Sequence, residues 1–427
     1  MKEPHAFWMG SIAFAATTSF LFAADWPQYR GSHHDGSTTE KIAAKWPEKG
    51  LRQVWKIPAP GGFSSFAVSG GRAVTQVVRN GNECVLALDA LTGKEQWAVE
   101  LAPSNYGHDG GNAGANGNNG GDGPRSTPSL DGAHVYVLAA DLRLLCLEAA
   151  TGKKVWAADL LGEHGGQLIK WKNAASPLID GELVFAAGGG AGATFLAFNK
   201  TTGQVVWKSG AEIITHATPV RATIHGVPQV IFFAQSGLIA LERNTGKELW
   251  RQAYRFSVST AIAPVVAGDT VYCSAGYGVG GGAYKISKQG EKWAAEELWR
   301  AHGNGQAANH WSTPVHKDGH LYGMFSFKEY GTGPLKCVEV ATGKVKWQQA
   351  NFGAGNVILA DGQLLALTDF GDLVLVAAEP GACRELARTK ALTGKCWSTP
   401  VLSNGRVYVR STKEAACLEL PRAVPVH

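Results

Sequence analysis

The signature Thr-Gly-x-x-x-Trp recurs along the chain, and this repetition limits what the chain can fold into. Each copy follows an apolar stretch such as Leu86–Asp89. The five copies begin at Thr92, Thr151, Thr202, Thr245 and Thr342. Related Ser/Thr-Pro or Ala-Pro steps occur at Pro128, Pro177, Pro219, Pro264, Pro314 and Pro400. Such self-similarity predicts one repeat architecture rather than two or three unrelated domains.

One unit of the repeat predicts four short strands. The first strand begins near the proline and ends at a turn such as Asp131-Gly132 or Asn404-Gly405, where glycine supplies the positive φ of a tight hairpin. An alternating strand and an apolar strand follow, and the Thr-Gly turn then leads into the strand that carries the tryptophan. Units of about 40 to 50 residues with four strands each predict a β-propeller.

The number of blades follows from the number of first strands. These are predicted near Phe66, Pro128, Pro177, Pro219, Pro264, Pro314, Val357 and Pro400, which makes eight. Two units are degenerate, with Gln289-Gly290 and Pro380-Gly381 in place of Thr-Gly. The last unit ends at Leu420 without a fourth strand, whereas Gln53–Lys56 is an unmatched tryptophan strand near the N-terminus. We therefore predict an all-β, eight-bladed β-propeller of four-stranded antiparallel blades, closed by an N-terminal strand.

The repeat also carries a family resemblance. The stretch Leu86–Trp97 resembles the repeat of the pyrroloquinoline-quinone-type propellers. That superfamily holds quinoprotein alcohol dehydrogenases and the non-catalytic propeller of the outer-membrane barrel assembly machinery. The stretches Asp25–Gly31, Gly121–Pro128, Ser274–Gly280 and Gly394–Pro400 are similar to exported members of this group. The resemblance implies the fold over residues 25–427 and leaves the activity open.

Composition excludes several classes of protein. Charged residues make up 18% of the chain and glycine 54 of its 427 residues, against usual shares of about 25% and 7%. This profile does not suit a coiled coil, a disordered tail or a helical bundle. The net charge is only +5, and no run of Lys and Arg occurs. We therefore expect no nucleic-acid partner.

The N-terminus predicts export. Residues 6–24 form the one long apolar segment, which follows Lys2 and ends in small residues. We expect a cleaved signal peptide over 1–24, an extension packed on the propeller over 25–50, and the propeller over 51–427. The alternative is an uncleaved anchor helix, which normally needs about 20 apolar residues. The mature protein is expected in the periplasm or cell envelope, as a monomer without an integral membrane segment.

The seven cysteines are expected to be mostly reduced core residues rather than disulfide partners, with at least five free thiols. Cys146, Cys337 and Cys417 occupy the slot that alanine fills in related units, at Ala87, Ala197 and Ala240. Each therefore belongs to a different unit as a small apolar residue. A loop would bring Cys383 and Cys396 together, but we expect no disulfide there. No cysteine spacing matches a zinc site.

The segments before the first strands are expected to converge on one mouth of the central funnel. Besides Trp171 and Asn173, they carry the candidate ligand-binding residues Arg125, His216, His310, Trp311, Lys395 and Trp397. The aromatic rings would stack on a planar molecule and the cations would pair with an anionic one. The alternative is that these residues fill a wet funnel, with Trp311 and Trp397 packing between blades. No carboxylate accompanies the set, so only histidine is available there as a general base.

Three further features are expected to carry no chemistry. The Gly/Asn-rich stretch 104–123 predicts a mobile loop over the funnel, because its acidic residues are too far apart for a calcium loop. The glycine runs Gly188–Gly190 and Gly280–Gly282 lie between strands and predict hairpin insertions rather than phosphate loops. The pair His33-His34 is expected to be exposed and inert, and no metal site is predicted.

The resemblance implies two competing functions. Quinoprotein dehydrogenases use pyrroloquinoline quinone with calcium held by oxygen donors, an Asp as base, and often an adjacent Cys pair. This chain has no adjacent Cys pair, and none of the family's catalytic residues is carried over by motif. Our first hypothesis is an exported, non-enzymatic propeller without a cofactor, which binds a partner protein or a small anionic or aromatic ligand. The alternative is an oxidoreductase that depends on pyrroloquinoline quinone and calcium.

Overall fold

The computed structural model describes residues 25–106, 121–258, 260–325, 327 and 329–421. The expected signal peptide and most of the Gly/Asn-rich stretch lie outside the described residues. Strands and turns make up the described chain, which contains no helix, and so no helix within it that could cross a membrane.

Two strands precede the first blade, β1 (Ser37–Thr38) and β2 (Arg52–Pro58). Blade 1 contains β3 (Ala67–Ser69), β4 (Arg72–Arg79), β5 (Asn82–Asp89) and β6 (Glu95–Pro103). Blade 2 contains β7 (Ser129–Asp131), β8 (His134–Leu138), β9 (Arg143–Glu148) and β10 (Lys154–Asp159). Blade 3 contains β11 (Leu178–Asp180), β12 (Leu183–Ala187), β13 (Phe195–Asn199) and β14 (Val205–Ser209). Blade 4 contains β15 (Val220–Ile224), β16 (Val227–Ala234), β17 (Gly237–Glu242) and β18 (Glu248–Ala253).

Blade 5 contains β19 (Val265–Ala267), β20 (Thr270–Ala275), β21 (Gly280–Gln289) and β22 (Lys292–Ala301). Blade 6 contains β23 (Val315–Lys317), β24 (His320–Met324), β25 (Leu335–Glu339) and β26 (Val345–Gln349). Blade 7 contains β27 (Asn356–Ala360), β28 (Gln363–Leu367), β29 (Asp372–Ala377) and β30 (Glu385–Lys390). Blade 8 contains β31 (Val401–Ser403), β32 (Arg406–Arg410) and β33 (Glu414–Glu419), and β2 is its fourth strand.

This architecture confirms the predicted fold class, including the closure of the ring. Strand β2 pairs antiparallel with β33, with Trp55 opposite Cys417. The first strands of neighbouring blades contact one another, as β3 does with β7 and with β31. They therefore line the central channel. We call the face of the propeller at which the first strands begin the mouth face.

The repeated tryptophan and glycine bind each blade to the next. The indole Nε1 of Trp55 donates to Ala90 O of blade 1 at 3.0 Å, and that of Trp97 donates to Ala149 O of blade 2 at 2.9 Å. The glycine of the following Thr-Gly turn lies under the same ring, since a Cβ on Gly152 would be 2.7 Å from Trp97. The Trp therefore seals the gap between blades, and only glycine leaves room for it.

The alanine slot has a direct structural cause. In each blade that has a fourth-strand tryptophan, the slot residue is its cross-strand partner. The pairs are Ala87 with Trp97, Cys146 with Trp156, Ala197 with Trp207, Ala240 with Trp250, Ala283 with Trp299, Cys337 with Trp347 and Cys417 with Trp55. A small residue is needed beside the bulky indole. All seven cysteines are free in the structure, and only Cys383 is not fully buried.

Residues 25–38 lie in the central channel. Trp26 forms an antiparallel bridge with Val68 of β3, and Leu130 N of β7 donates to Pro27 O at 2.7 Å. Strand β1 pairs in parallel with β27 of blade 7. The Arg30 guanidinium is 3% exposed and donates to Thr313 O and Pro314 O, at the start of blade 6. The segment thus contacts blades around the channel, and the Arg30 side chain reaches the start of the first strand of blade 6.

The expectation that His33-His34 is an exposed pair is wrong for His34. His34 is 6% exposed, and its Nε2 lies 3.0 Å from Gln28 Nε2 within the channel segment. Burial lowers its pKa to about 3, so the ring is neutral. Because the Gln28 amide is tied to Ile179 of β11, His34 helps to hold the channel segment in place.

Candidate ligand-binding face

The repeat itself places the candidate residues. Arg125, His216, Trp311 and Trp397 each stand three residues before the proline of their blade, and Phe63 takes the equivalent place in blade 1. His310 and Lys395 stand one and two positions earlier in the same segments. Most of the set thus shares one register on the mouth face, with one residue contributed by each of several blades.

A girdle of hydroxyl groups fixes these segments to one another. The residue two positions before the first strand is Ser or Thr in six blades, and in five of these its hydroxyl accepts a backbone N–H from the preceding blade. These bonds join Thr399 N to Ser65 Oγ, Ser65 N to Thr127 Oγ1, Thr127 N to Ser176 Oγ, Ser176 N to Thr218 Oγ1 and Ala263 N to Thr313 Oγ1, at 2.8–3.0 Å. The Ser/Thr-Pro step therefore has a structural role that its sequence alone did not reveal.

Three aromatic rings form a continuous platform above this girdle. Trp311 and Trp397 have ring centroids 4.6 Å apart with planes inclined by 31°, and Trp397 and Phe63 are 5.0 Å apart at 32°. Trp311 Nε1 donates to Ala354 O at 3.1 Å. Ala354 is the small residue that blade 7 has in the corresponding segment. All three rings are partly exposed. We call Phe63, Trp311 and Trp397 the aromatic platform.

Cations flank the platform. Lys395 Nζ lies 4.7 Å from the Trp397 ring centroid and 5.1 Å from that of Tyr330. Arg125 Cζ lies 5.9 Å from the Phe63 centroid, so it contacts a different ring of the platform. These separations are within the range of cation–π attraction. The structure thus brings Arg125, Trp311, Lys395 and Trp397 into one connected cluster.

The prediction that no carboxylate accompanies the set is wrong. Asp369, in the β28–β29 hairpin, is fully buried, and its charge acts on Lys395. Glu83, in β5, is also fully buried; it accepts hydrogen bonds from the Tyr106 hydroxyl and from Ala140 N, and its charge acts on Arg125. Both residues lie outside the segments before the first strands. The sequence did offer a signal for Glu83, because an acidic residue stands near the mouth-face end of an otherwise apolar strand.

Burial governs the titration of these groups. It lowers the pKa of Lys395 to about 8, and the carboxylate of Asp369 opposes part of that shift. Burial also raises the pKa of Asp369, whose Oδ2 accepts Gly331 N at 2.6 Å. Lys395 is therefore largely cationic at neutral pH.

The two histidines differ in role. His216 Nε2 lies 3.0 Å from Lys170 O, and burial, with the charge of Arg125, lowers its pKa to about 4. His216 is thus neutral and supports the loop that carries Trp171. His310 joins the cluster through its ring, 5.5 Å from Trp311 and 5.0 Å from Tyr277. Asn173 bonds to Leu138 O and Ala175 O and is structural.

The residues at the mouth face do not fit a calcium ion. Calcium takes six to eight oxygen ligands, often from several carboxylates. Here Asp369 and Glu83 stand in separate blades, each beside a cation and each already accepting hydrogen bonds. Across the described ranges, no group of three or more His, Cys, Asp or Glu is placed to hold a metal ion.

Comparisons with known proteins agree with the fold. The family model described as outer membrane protein assembly factor BamB matches residues 81–323 and 331–419. The tetrathionate hydrolase of Acidithiobacillus ferrooxidans is 24% identical over 234 residues, which cover 55% of this chain and 38% of that protein. The chain thus aligns with well under half the length of this relative.

Two solved structures share the propeller. BamB from Moraxella catarrhalis has a TM-score of 0.61 at 15% identity, covering 88% of this chain and 99% of its own. Quinohemoprotein alcohol dehydrogenase from Comamonas testosteroni has a TM-score of 0.65 at 15% identity, covering 94% of this chain and 82% of its own. At this level of identity the likeness shows the fold alone.

Proposed function

The chain belongs to the family of the outer membrane protein assembly factor BamB, and on that premise we propose that it is an exported, monomeric binding protein of the cell envelope. In this proposal the mouth face captures a small anionic ligand that has a planar part, and releases it unchanged. The channel segment 25–38 contacts the first strands of blades 1 and 7 and the start of blade 6, and in this proposal a ligand approaches from the mouth face.

The observation that carries the proposal is the contact between the aromatic platform and two cations from different blades. Trp397 lies between Trp311 and Phe63, with Lys395 Nζ 4.7 Å from its ring. Partly exposed indoles offer a face for stacking, and a flanking ammonium or guanidinium attracts a negative group. Each group is supported from its own blade, which keeps the site formed before the ligand arrives.

The surroundings of the cluster favour binding without turnover. A general base must reach the proton that it removes. Asp369 is fully buried and is held by Gly331 N, whereas His216 faces the carbonyl of Lys170.

The charge of the proposed ligand has separate support. A relative named tetrathionate hydrolase is consistent with a small anionic ligand, since tetrathionate is a dianion.

The second candidate is an oxidoreductase that uses pyrroloquinoline quinone and calcium. The observation that favours it is the platform, on which the flat quinone ring would stack and whose cations would meet its carboxylates. When bound, the quinone would supply the redox chemistry. The mouth-face carboxylates described above do not make a calcium site, and so we rank this candidate second.

Reconstitution with the quinone separates the two candidates. Purified protein is incubated with pyrroloquinoline quinone, with and without Ca²⁺, and its absorbance and dye-linked alcohol oxidation are measured. The binding proposal predicts saturable quinone binding or none, and no dye reduction above background. Wild-type turnover that is abolished in Arg125→Ala or Trp397→Ala would establish the oxidoreductase instead.

A protein partner is tested in parallel because the mouth face also exposes apolar side chains. Tyr277 is 45% exposed and Phe370 42% exposed in the second hairpins of blades 5 and 7. A partner that is released by substitutions at Tyr277 and Phe370, but not at Trp397, would make the face a scaffold. If small anions displaced the partner, the platform would bind both the protein partner and the anionic ligand.

A further inference from the structure

Beside the platform lies a corner where three cations share two aromatic rings. The Tyr106 ring has Arg125 Cζ 5.4 Å and Lys172 Nζ 4.8 Å from its centroid. The Trp171 ring has Arg125 Cζ 5.9 Å and Lys170 Nζ 5.4 Å from its centroid. We call Arg125, Lys170 and Lys172 the cationic corner. It joins the platform through Phe63, the third ring near Arg125.

Within the described residues no carboxylate forms an ion pair with the corner, although the charges of Glu83 and Asp122 act on Arg125. Within the described part of the chain, none of the three cations lies within 4.0 Å of an acidic oxygen. Both acids also accept hydrogen bonds, since Asp122 Oδ2 accepts Tyr106 N and Glu83 accepts the Tyr106 hydroxyl. The two distances to the Tyr106 centroid keep Arg125 and Lys172 within about 10 Å of each other, the screening length at 0.1 M salt. The three cations therefore repel one another, and Glu83 and Asp122 offset this repulsion at Arg125.

The loop that carries the lysines is held in a costly conformation. Trp171 and Lys172 both have positive φ, at 72° and 55°. Bulky residues rarely adopt this region, and such strain is concentrated at functional sites. The loop is fixed by hydrogen bonds of Lys172 N to Ile169 O and Asn173 N to Ala140 O, and by His216 at Lys170 O. The fold thus holds two lysines and an indole beside Arg125.

The donors suit a group with several outward oxygens. Arg125 Nη1 and Nη2 already donate to Gly123 O at 3.1 Å and Gly121 O at 2.6 Å, so part of the guanidinium fork is engaged within its own loop. Lysine ammonium groups are point charges with three rotatable donors. Donors on three separate side chains suit the several oxygens of a tetrahedral anion better than the two of a planar carboxylate.

We infer that the cationic corner binds the tetrahedral oxoanion group of the ligand, a sulfonate, sulfate ester or phosphate ester, while the planar part of that ligand lies on the aromatic platform. The inference rests on the proposed function and specifies the ligand class that this face selects.

Three probes with one ring system test it by calorimetric titration: naphthalene-2-sulfonate, 2-naphthyl phosphate and 2-naphthoate. We expect the sulfonate and the phosphate to bind at least about tenfold more tightly than the carboxylate, a difference of about 1.4 kcal/mol. The double variant Lys170→Met/Lys172→Met is expected to lose that preference while it keeps the affinity for 2-naphthoate. Lys172→Arg keeps the charge and is expected to keep most of the preference.

The control is Lys208→Met, which removes an exposed lysine from the outer strand of blade 3. Thermal unfolding of each variant verifies that it is folded. Equal affinities for all three probes, or an oxoanion preference that persists in the double variant, would overturn the inference and leave the proposed function intact. Failure of all three probes to bind the wild type would overturn both.

Discussion

The α-carbon of Gly93 lies directly against the indole of Trp55, and a Cβ atom on Gly93 would be 2.7 Å from Trp55 Cγ. Trp55 belongs to the N-terminal strand that completes blade 8, whereas Gly93 belongs to the first blade. This contact therefore closes the ring. The same pairing of glycine and indole recurs at the other tryptophan strands, as between Gly203 and Trp156.

Substitution of Gly93 by alanine is expected to destabilise the ring more than substitution of Gly81. Both glycines have a φ near +70°, so alanine at either position incurs the cost of a left-handed backbone conformation, about 1–2 kcal/mol. Nothing lies within 4 Å of a Cβ on Gly81, whereas a Cβ on Gly93 overlaps Trp55, which adds about 1–3 kcal/mol. Thermal unfolding compares the two. Equal melting temperatures would contradict the role of this contact.

Removal of the N-terminal strand is expected to destabilise the whole propeller. A chain that starts after Lys56 leaves β33 with an open edge and leaves the Cys417 slot without its indole. Because this truncation also removes the channel segment, Trp55→Ala is measured beside it, with an expected cost of about 3–5 kcal/mol. If both variants melted at the wild-type temperature, the closure of the ring would be wrong.

The fold could be predicted because each blade repeats the same local chemistry. A tight turn needs glycine, an indole needs a small cross-strand partner, and the ring needs a strand to complete it. These requirements are visible in the sequence at Gly93, Ala87 and Trp55. By contrast, the course of Trp26–Thr38 through the channel follows no repeat, and its contacts with β3 and β27 join residues that are distant in sequence.

The candidate site could be predicted only in part, because only some of its residues occupy positions that the repeat defines. Trp311 and Trp397 share a register position, so their convergence follows from the repeat. Asp369 and Tyr106 reach the cluster from a hairpin and from the end of a fourth-strand segment. Only the packing of different blades brings such residues together, and no residue spacing in the sequence indicates that they are close.

The thiols are expected to be free and mostly unreactive. We predict seven free thiols after unfolding, because the structure contains seven free cysteines. In the native state Cys383 should react first, since the others are buried, and burial raises the pKa of Cys337 to about 11 and of Cys146 to about 12. Titration with a thiol reagent, before and after denaturation, measures this. Two or more disulfides found by mass spectrometry would contradict it.

Binding of an anion is expected to weaken as the pH rises through about 8. The pKa of Lys395 is lowered to about 8, so its ammonium is protonated below that pH and loses its charge above it. A carboxylate probe such as 2-naphthoate should therefore show a rising Kd between pH 7 and pH 9. In Lys395→Arg the guanidinium remains charged, and the rise should disappear. A rise of the same size in both proteins would exclude Lys395 as its cause.

The most direct test of the binding site is a calorimetric titration of 2-naphthoate into the wild type, Trp397→Ala and Trp293→Ala. Trp397 lies at the centre of the platform, whereas Trp293 lies in the outer hairpin of blade 5 near His225. Loss of the central ring removes stacking and the support for Lys395, which together are worth about 1–2 kcal/mol, or roughly tenfold in Kd. The account predicts that Trp397→Ala binds about tenfold more weakly while Trp293→Ala binds like the wild type. An unchanged Kd in Trp397→Ala, or no binding to the wild type, would contradict it.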